Sequence, residues 1–279
     1  MDKSDILDNL IDMALAEDLG LEGDVTSSAI FNESTSRAVL VSKGRGILAG
    51  SGVFQKVFNR IDPELTINFK KADGEECLPG EIIAECAGNT LNILQGERTA
   101  LNFLSYLSGI ATLTSVYVKK AEKHGNTVIL DTRKTLPGYR ELAKYAVRAG
   151  GGKNHRMGLY DMVMIKDNHI DAAGSLSKAV DKVRHKWGER FRIEVECRNM
   201  EEVKEAVKKK VDIIMLDNMD RDAVTSAVRF INGRSKTEAS GDMDLDKVDI
   251  FSSLGVDYIS IGKLTHSVTA FNFSLQIQL

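Results

Sequence analysis

Cysteine is scarce in this 279-residue sequence, which has only Cys77, Cys86 and Cys197. An odd number without metal-ligand spacing argues against a disulfide framework or a cysteine-built zinc site. It predicts thiols in a reducing compartment, with the cytoplasm as the expected location. No apolar run approaches the length of a membrane span, and Met1 to Gly20 reads as an amphipathic helix rather than a signal peptide, so no membrane partner is expected. An excess of positive charge is also missing: 37 Lys and Arg face 40 Asp and Glu, for a net charge of -3. That balance argues against a general nucleic-acid surface. Low-complexity segments are absent, and the only internal rhythm is one of alternating strands and helices. The remaining composition, 43% apolar and 28% charged, is that of a globular α/β protein with one large domain or two smaller ones.

Charge is uneven along the chain. Between Asp131 and His169, Arg133, Lys134, Arg140, Lys144, Arg148, Lys153, Arg156 and Lys166 face only Asp131, Glu141, Asp161 and Asp167. A basic segment in an acidic protein concentrates small polyanions without making the whole surface cationic.

Taken in order, Ser4 is placed to cap a helix carrying Leu7, Leu10, Ile11, Ala14 and Leu15, which Gly20 ends. Residues 23–27 read as a turn. Strands are expected at Ala38–Val41, Gly46–Leu48, Leu65–Phe69 and Ile82–Cys86, with a helix over Val53–Ile61 and a hairpin turn at Asp73-Gly74. Leu91 to Lys123 is the longest helical region, and Gly109 is a candidate break in it. Beyond Asn126, short buried runs at 128–130, 162–165, 193–195, 213–216, 237–239 and 258–261 alternate with helical intervals. That alternation predicts a parallel sheet, open or closed. A barrel is favoured because polar residues follow so many strand ends, and in a barrel those ends share one face. The tail from Phe271 to Leu279 alternates apolar and polar residues, which predicts a strand returning to the N-terminal sheet.

Several residue types at those strand ends can carry chemistry. Arg133 and Lys134 follow one buried run, and His155 and Arg156 follow the triple glycine 150–152. Such a loop lets backbone approach a ligand, and guanidinium groups grip carboxylate or phosphate. Lys166 suits either a Schiff-base nucleophile or an anion-binding charge. Glu194 and Glu196 share one face of a strand, and Asp217 ends the next. These carboxylates suit Mg²⁺, sugar hydroxyls or simple ion pairs. Ser240, Gly241 and Gly262 end the last two strands, where barrels commonly hold phosphate.

The ordered set of motifs resembles the quinolinate phosphoribosyltransferase family over nearly the whole chain. It comprises E-D-L-G and G-D-V-T-S near the start, G-E-R-T-A-L-N-F-L-S-Y-L-S-G-I-A-T at 96–112 and D-T-R-K-T-L-P-G at 131–138. It continues with K-Y-A-V-R-A-G-G-G-K-N-H-R-M-G-L at 144–159, I-K-D-N-H at 165–169, I-E-V-E at 193–196, M-L-D-N-M at 215–219, E-A-S-G at 238–241 and L-T-H-S at 264–267. Two positions depart from the family pattern. Asp242 stands where a second glycine is usual, and no proline follows Ser267.

The resemblance implies an α/β fold: an N-terminal open sandwich over 1–112, completed by a tail strand at 268–279, and an incomplete seven-stranded α/β barrel over 113–267, one strand more than the six counted above. It implies transfer of the phosphoribosyl group of phosphoribosyl pyrophosphate to quinolinate with decarboxylation, with Mg²⁺ as cofactor. It also implies a homodimer or higher homo-oligomer with shared sites, to which Arg98 contributes across the interface. Arg98, Arg133, His155, Arg156 and Lys166 would cage quinolinate, and Lys134 would meet the pyrophosphate. Glu196 and Asp217 would hold Mg²⁺ or ribose hydroxyls, and Ser240, Gly241 and Gly262 the 5-phosphate; Lys134, Lys166, Glu196 and Asp217 form the catalytic set. The alternatives are a related molybdenum-transport-associated phosphoribosyltransferase, a lysine Schiff-base barrel and a non-catalytic anion-binding protein.

Overall fold

Two local rhythms organise the structure, a computed structural model that describes residues 3–31 and 33–278. Helix α1 (Lys3–Leu19) includes Ser4, so that residue lies within the first turn rather than at the cap, and Gly20 follows at φ +54°. The 23–27 stretch is not only a turn. The Asp24 side chain accepts from the Thr26 and Ser27 N–H groups and starts the short helix α2 (Val25–Ile30). Strands β1 (Thr35–Ser42) and β2 (Gly46–Ile47) precede α3 (Ser51–Ile61); β3 (Thr66–Phe69), β4 (Glu76–Cys77) and β5 (Ile82–Asn89) follow. Gly74 does turn the chain at φ +95°, but its flanks form no hairpin, because β3 pairs with β5 and β4 with β2. Asp73 instead accepts from Gly50 N and Ser51 N, capping α3.

Helix α4 (Thr90–Ala121) passes Gly109 unbroken. A Cβ at Gly109 would lie 2.3 Å from the Thr269 carbonyl oxygen, so this glycine serves close packing of the returning chain rather than a break. By length and composition alone, Thr90–His124 could span a membrane, which the sequence reading did not anticipate. However, 56% of its most apolar stretch is buried in the protein, as expected of a core helix.

From there strands and helices alternate: β6 (Val128–Leu130), α5 (Arg140–Ala149), β7 (Val163–Ile165), α6 (Asp167–Ala173), α7 (Leu176–Trp187), β8 (Ile193–Cys197), α8 (Met200–Lys208), β9 (Ile213–Asp217), α9 (Arg221–Ile231), β10 (Lys236–Ser240), α10 (Leu245–Ser253), β11 (Tyr258–Ser260), α11 (Lys263–His266) and β12 (Phe273–Gln278). Helices α6 and α11 were not expected from sequence. Both are short, and neither carries the repeated apolar spacing that reveals a helix.

Two compact units divide the chain. The first comprises Met1–Leu113, Leu136–Gly151 and Val268–Leu279, and so takes in α5 and the tail. Its main sheet has the order β12-β1-β5-β3 and is antiparallel, with Ala38 and Leu40 buried and Arg37 and Val39 more exposed. The tail thus returns as expected, although Leu279 lies outside the described residues.

The second unit comprises Thr114–Thr135 and Gly152–Ser267. It holds a parallel sheet of order β6-β11-β10-β9-β8-β7, flanked by one isolated parallel bridge between Leu130 and Lys153. All six expected buried runs are strands of this sheet. Strand β9 shows why they were legible, since Ile213, Ile214, Met215 and Leu216 are all buried.

Candidate active site

The parallel strands β6 to β11 deliver their C-terminal ends to one cavity of about 680 Å³ in the second unit. Arg133 and Lys134 follow β6, His155 and Arg156 follow the glycine run, and Lys166 follows β7. Glu196 comes from β8, Asp217 from β9, Ser240 and Gly241 from β10 and its end, and Gly262 from the turn after β11. These ten sequence-predicted residues therefore line one space. Arg98 does not: it is exposed on α4 of the first unit and is absent from the lining.

The cationic side of the cavity is held by hydrogen bonds that sequence reading missed. Asp131 is fully buried, and its carboxylate accepts from His155 N at 2.9 Å and from Asn154 Nδ2. It thereby fastens the glycine-rich loop to the end of β6. The Lys134 segment is pinned twice, by its own N–H to Thr132 Oγ1 at 3.1 Å and by Thr265 Oγ1 donating to its carbonyl at 2.7 Å. Arg156 Nη1 donates to Met162 O at 3.2 Å. Burial first, and then the like charge of Arg133, push the Arg156 pKa down, as expected of two guanidinium groups converging on an anion site. Lys166 Nζ is hydrogen-bonded to Glu196 Oε1, joining the basic side to the acidic one. His169 is exposed, and its Nδ1 accepts from Lys166 N at 3.0 Å, which matches loop orientation rather than a place in the cavity.

The opposite side relies on backbone shape. Asn218 adopts φ +53°, donates its N–H to Ser240 O at 3.0 Å and gives an Nδ2 hydrogen bond to Asp217 Oδ2 at 3.0 Å. Gly241 adopts φ +108°, and a Cβ there would sit 2.2 Å from Asn218 Oδ1, so only glycine fits. Asp242 also lies in the left-handed region, at φ +41°, which gives a physical reason for glycine at the matching family position. At Gly262, an added Cβ would lie 3.0 Å from Lys134 Cδ and 3.1 Å from His266 Cδ2. His266 itself is hydrogen-bonded through Nδ1 to Ser267 Oγ at 2.7 Å.

Beneath the basic side lies a group not assembled from sequence. His155 Nε2 stands 3.0 Å from Glu194 Oε2 and 3.5 Å from Glu238 Oε2, and both glutamates are 0% exposed. Burial disfavours the charged imidazole, but the two carboxylates outweigh it and raise the affinity of the His155–glutamate group for a proton. Burial, followed by the charge of Glu238, pushes Glu194 up to about 7. At neutral pH the cluster therefore retains an extra proton. Because His155 Nδ1 accepts the Arg156 N–H at 2.7 Å, the neutral ring carries its hydrogen on Nε2 and the extra proton sits on a glutamate oxygen. Glu238 had a legible signal. It lies two residues before Ser240, on the same strand face, as Glu194 does before Glu196.

Two donor sets could hold a cation. Glu196 and Asp217 offer carboxylate oxygens at adjacent strand ends beside open cavity, a set that fits Mg²⁺ shared with substrate phosphates. The ligand atoms of His155, Glu194 and Glu238 lie within 4.8 Å of one another, but an imidazole whose Nδ1 accepts a hydrogen bond carries its proton on Nε2 and cannot ligate through it.

Comparison with known proteins matches residues 24–108 to the N-terminal domain, and residues 110–276 to the C-terminal domain, of quinolinate phosphoribosyl transferase. The chain is 44% identical over 273 residues to a probable nicotinate-nucleotide pyrophosphorylase (carboxylating) of Bacillus subtilis, covering 98% of this chain and 94% of that protein. It is 43% identical to the mitochondrial quinolinate phosphoribosyltransferase (decarboxylating) 2b of Nicotiana tabacum, covering 97% and 82%. Among solved structures, NadC from Streptococcus pyogenes superposes with a TM-score of 0.94 at 40% identity, covering 100% and 99%. The nicotinate-nucleotide pyrophosphorylase of Francisella tularensis gives 0.95 at 38% identity, covering 100% and 98%.

Proposed function

The chain belongs to the quinolinate phosphoribosyltransferase family, and from that premise we propose how its cavity serves the decarboxylating reaction that forms nicotinate mononucleotide, pyrophosphate and CO₂. The observation that carries this reading is the meeting of Arg133, Lys134, Arg156 and Lys166 with the carboxylates of Glu196 and Asp217 and the glycines Gly241 and Gly262 in one cavity. Quinolinate brings two adjacent carboxylates, for which Arg133, Arg156 and Lys166 supply charge-assisted donors. His155 Nδ1 accepts from Arg156 N and its Nε2 faces the Glu194 carboxylate at 3.0 Å, so its part in this cage is to support Arg156. Lys134 meets the pyrophosphate of phosphoribosyl pyrophosphate. Ser240, Gly241 and Gly262 receive the 5-phosphate at the ends of β10 and β11.

The pyridine nitrogen attacks the ribosyl carbon as pyrophosphate departs, so no protein nucleophile is needed. Glu196 and Asp217 face the positive charge that develops on the ribosyl centre and hydrogen-bond its hydroxyls. They are also the residues that would hold Mg²⁺, which when bound neutralises phosphate charge. Lys166 holds Glu196 in place and presents its charge to a quinolinate carboxylate. Once alkylated, the cationic ring nitrogen stabilises the electron pair left on C2 as the 2-carboxylate departs as CO₂, and C2 then takes a proton from water.

The six parallel strands with the Leu130–Lys153 bridge support an incomplete α/β barrel whose seventh position is held by that bridge. The exposed Arg98, within the E-R-T-A-L-N motif, is the group a second copy lends to the site of a homodimer. Three buried cysteines without a disulfide support a reducing compartment, the cytoplasm. The molybdenum-transport-associated alternative draws no support from relatives named for the quinolinate reaction over nearly their full length.

The direct test is quinolinate consumption with and without phosphoribosyl pyrophosphate and Mg²⁺. Consumption and CO₂ release requiring both are expected; release without phosphoribosyl pyrophosphate contradicts the reading. Mixing Arg98→Ala and Lys166→Ala subunits should restore part of the activity, and no recovery contradicts a shared site.

A further inference from the structure

We propose that Glu194 and Glu238 are positioning residues for Arg156, acting through the ring of His155. Both side chains are 0% exposed, and among the described residues none of their carboxylate oxygens has a hydrogen bond; the nitrogen that faces them is His155 Nε2, 3.0 Å from Glu194 Oε2 and 3.5 Å from Glu238 Oε2. Two buried carboxylates are costly in a fold unless they hold something in return. What they face is an imidazole whose other nitrogen is already committed, since Nδ1 accepts the Arg156 N–H at 2.7 Å.

That acceptor role requires a bare Nδ1, and a neutral ring with a bare Nδ1 carries its hydrogen on Nε2. The two carboxylates select that tautomer electrostatically, by placing negative charge 3.0 and 3.5 Å from Nε2. Without them the ring is free to turn or to protonate Nδ1, and an Nδ1–H opposes the Arg156 N–H. The backbone at Arg156 would then lose its anchor, and with it the aim of the guanidinium that lines the cavity. Glu194 is absent from the cavity lining and Glu238 reaches its edge; both act through the ring, from β8 and β10, on a loop that Asp131 fastens from β6. This inference rests on the proposed role of Arg156 as a quinolinate carboxylate ligand.

The first test uses the unaltered protein, with the histidine ring nitrogens observed by ¹⁵N NMR and the His155 signals identified by their loss in His155→Asn. A protonated Nε2 and a bare Nδ1 are expected; a His155 ring protonated at Nδ1 overturns the proposal without any variant of the glutamates. The second test replaces both glutamates by methionine, which keeps side-chain bulk but removes the acceptors. Buried ionic groups often tolerate apolar replacement of similar volume, so a purely structural role predicts little change in substrate binding. The positioning role predicts that KM for quinolinate rises about tenfold while KM for phosphoribosyl pyrophosphate stays within about twofold. Glu194→Gln with Glu238→Gln, which retains a carbonyl acceptor on each side chain, should restore most of that loss.

A folded methionine variant with an unchanged KM for quinolinate, or with an equal rise for both substrates, overturns the proposal. Arg156→Ala separates the two levels. If it leaves KM for quinolinate unchanged, the site reading itself fails and the inference falls with it. If it raises KM while the methionine variant does not, only the inference fails.

Discussion

On the β6–β7 side the cavity is lined by long cationic side chains, Arg133, Lys134, Arg156 and Lys166, whereas on the β9–β11 side the carboxylates of Asp217 and Asp242 and the glycines Gly241 and Gly262 stand with Lys263 and His266. The first side gains its precision from buried anchors such as Asp131 and the Glu194–His155–Glu238 group. The second gains it from left-handed backbone at Asn218, Gly241 and Asp242. On the proposed reading, one cavity suits two anionic ligands by unlike means: planar carboxylates by charged forks, and a phosphate at the glycine-bearing strand ends.

Lys166→Ala should have the largest effect, because Lys166 joins the two sides through Glu196. Its removal takes away a cation and leaves Glu196 unopposed, so kcat/KM should fall by about 100-fold or more in steady-state assays. Loss of only a few-fold would show that the sides act independently. Gly241→Ala comes next. The positive φ and the 2.2 Å approach to Asn218 Oδ1 make it strained, and thermal denaturation should show a destabilisation of about 1–3 kcal/mol. Binding of phosphoribosyl pyrophosphate should weaken with it, while quinolinate binding should not.

A smaller change in the favourable direction is expected from Asp242→Gly. It removes a negative charge from the cavity lining and relieves a non-glycine φ of +41°, so KM for phosphoribosyl pyrophosphate should drop by about two- to fivefold. A rise instead would mean that Asp242 holds the loop in shape. The least effect should come from thiol reagents on the native protein. Burial pushes the Cys77 thiol up to about 11, Cys86 up to about 12 and Cys197 higher still, so labelling at neutral pH should await unfolding.

The cationic side was more legible in sequence than its supports. Arg133, Lys134 and Lys166 each follow a buried apolar run, and such a run reports a parallel strand and hence where its end lies. Glu238 and Asp131 were not picked out as individual site groups, because a carboxylate inside or just after a strand looks the same whether it pairs, ligates or braces a loop; only the position of His155 decides. Gly109 misled for a related reason. Its helix-weakening tendency is a local property, but the close approach of the Thr269 carbonyl, which leaves no room for a Cβ, is tertiary, and α4 runs through it unbroken. The turn at Asp73-Gly74 was correctly seen as a turn and wrongly as a hairpin, since pairing of β3 and β4 depends on partners distant in the chain.

The division of the cavity is tested most directly by a crossed binding titration, with quinolinate and phosphoribosyl pyrophosphate each titrated into Arg133→Ala and Asp217→Asn. Arg133→Ala should lose quinolinate affinity by about 30- to 100-fold and keep that for phosphoribosyl pyrophosphate, with Asp217→Asn showing the reverse preference. Equal losses for both ligands in both variants would contradict the account.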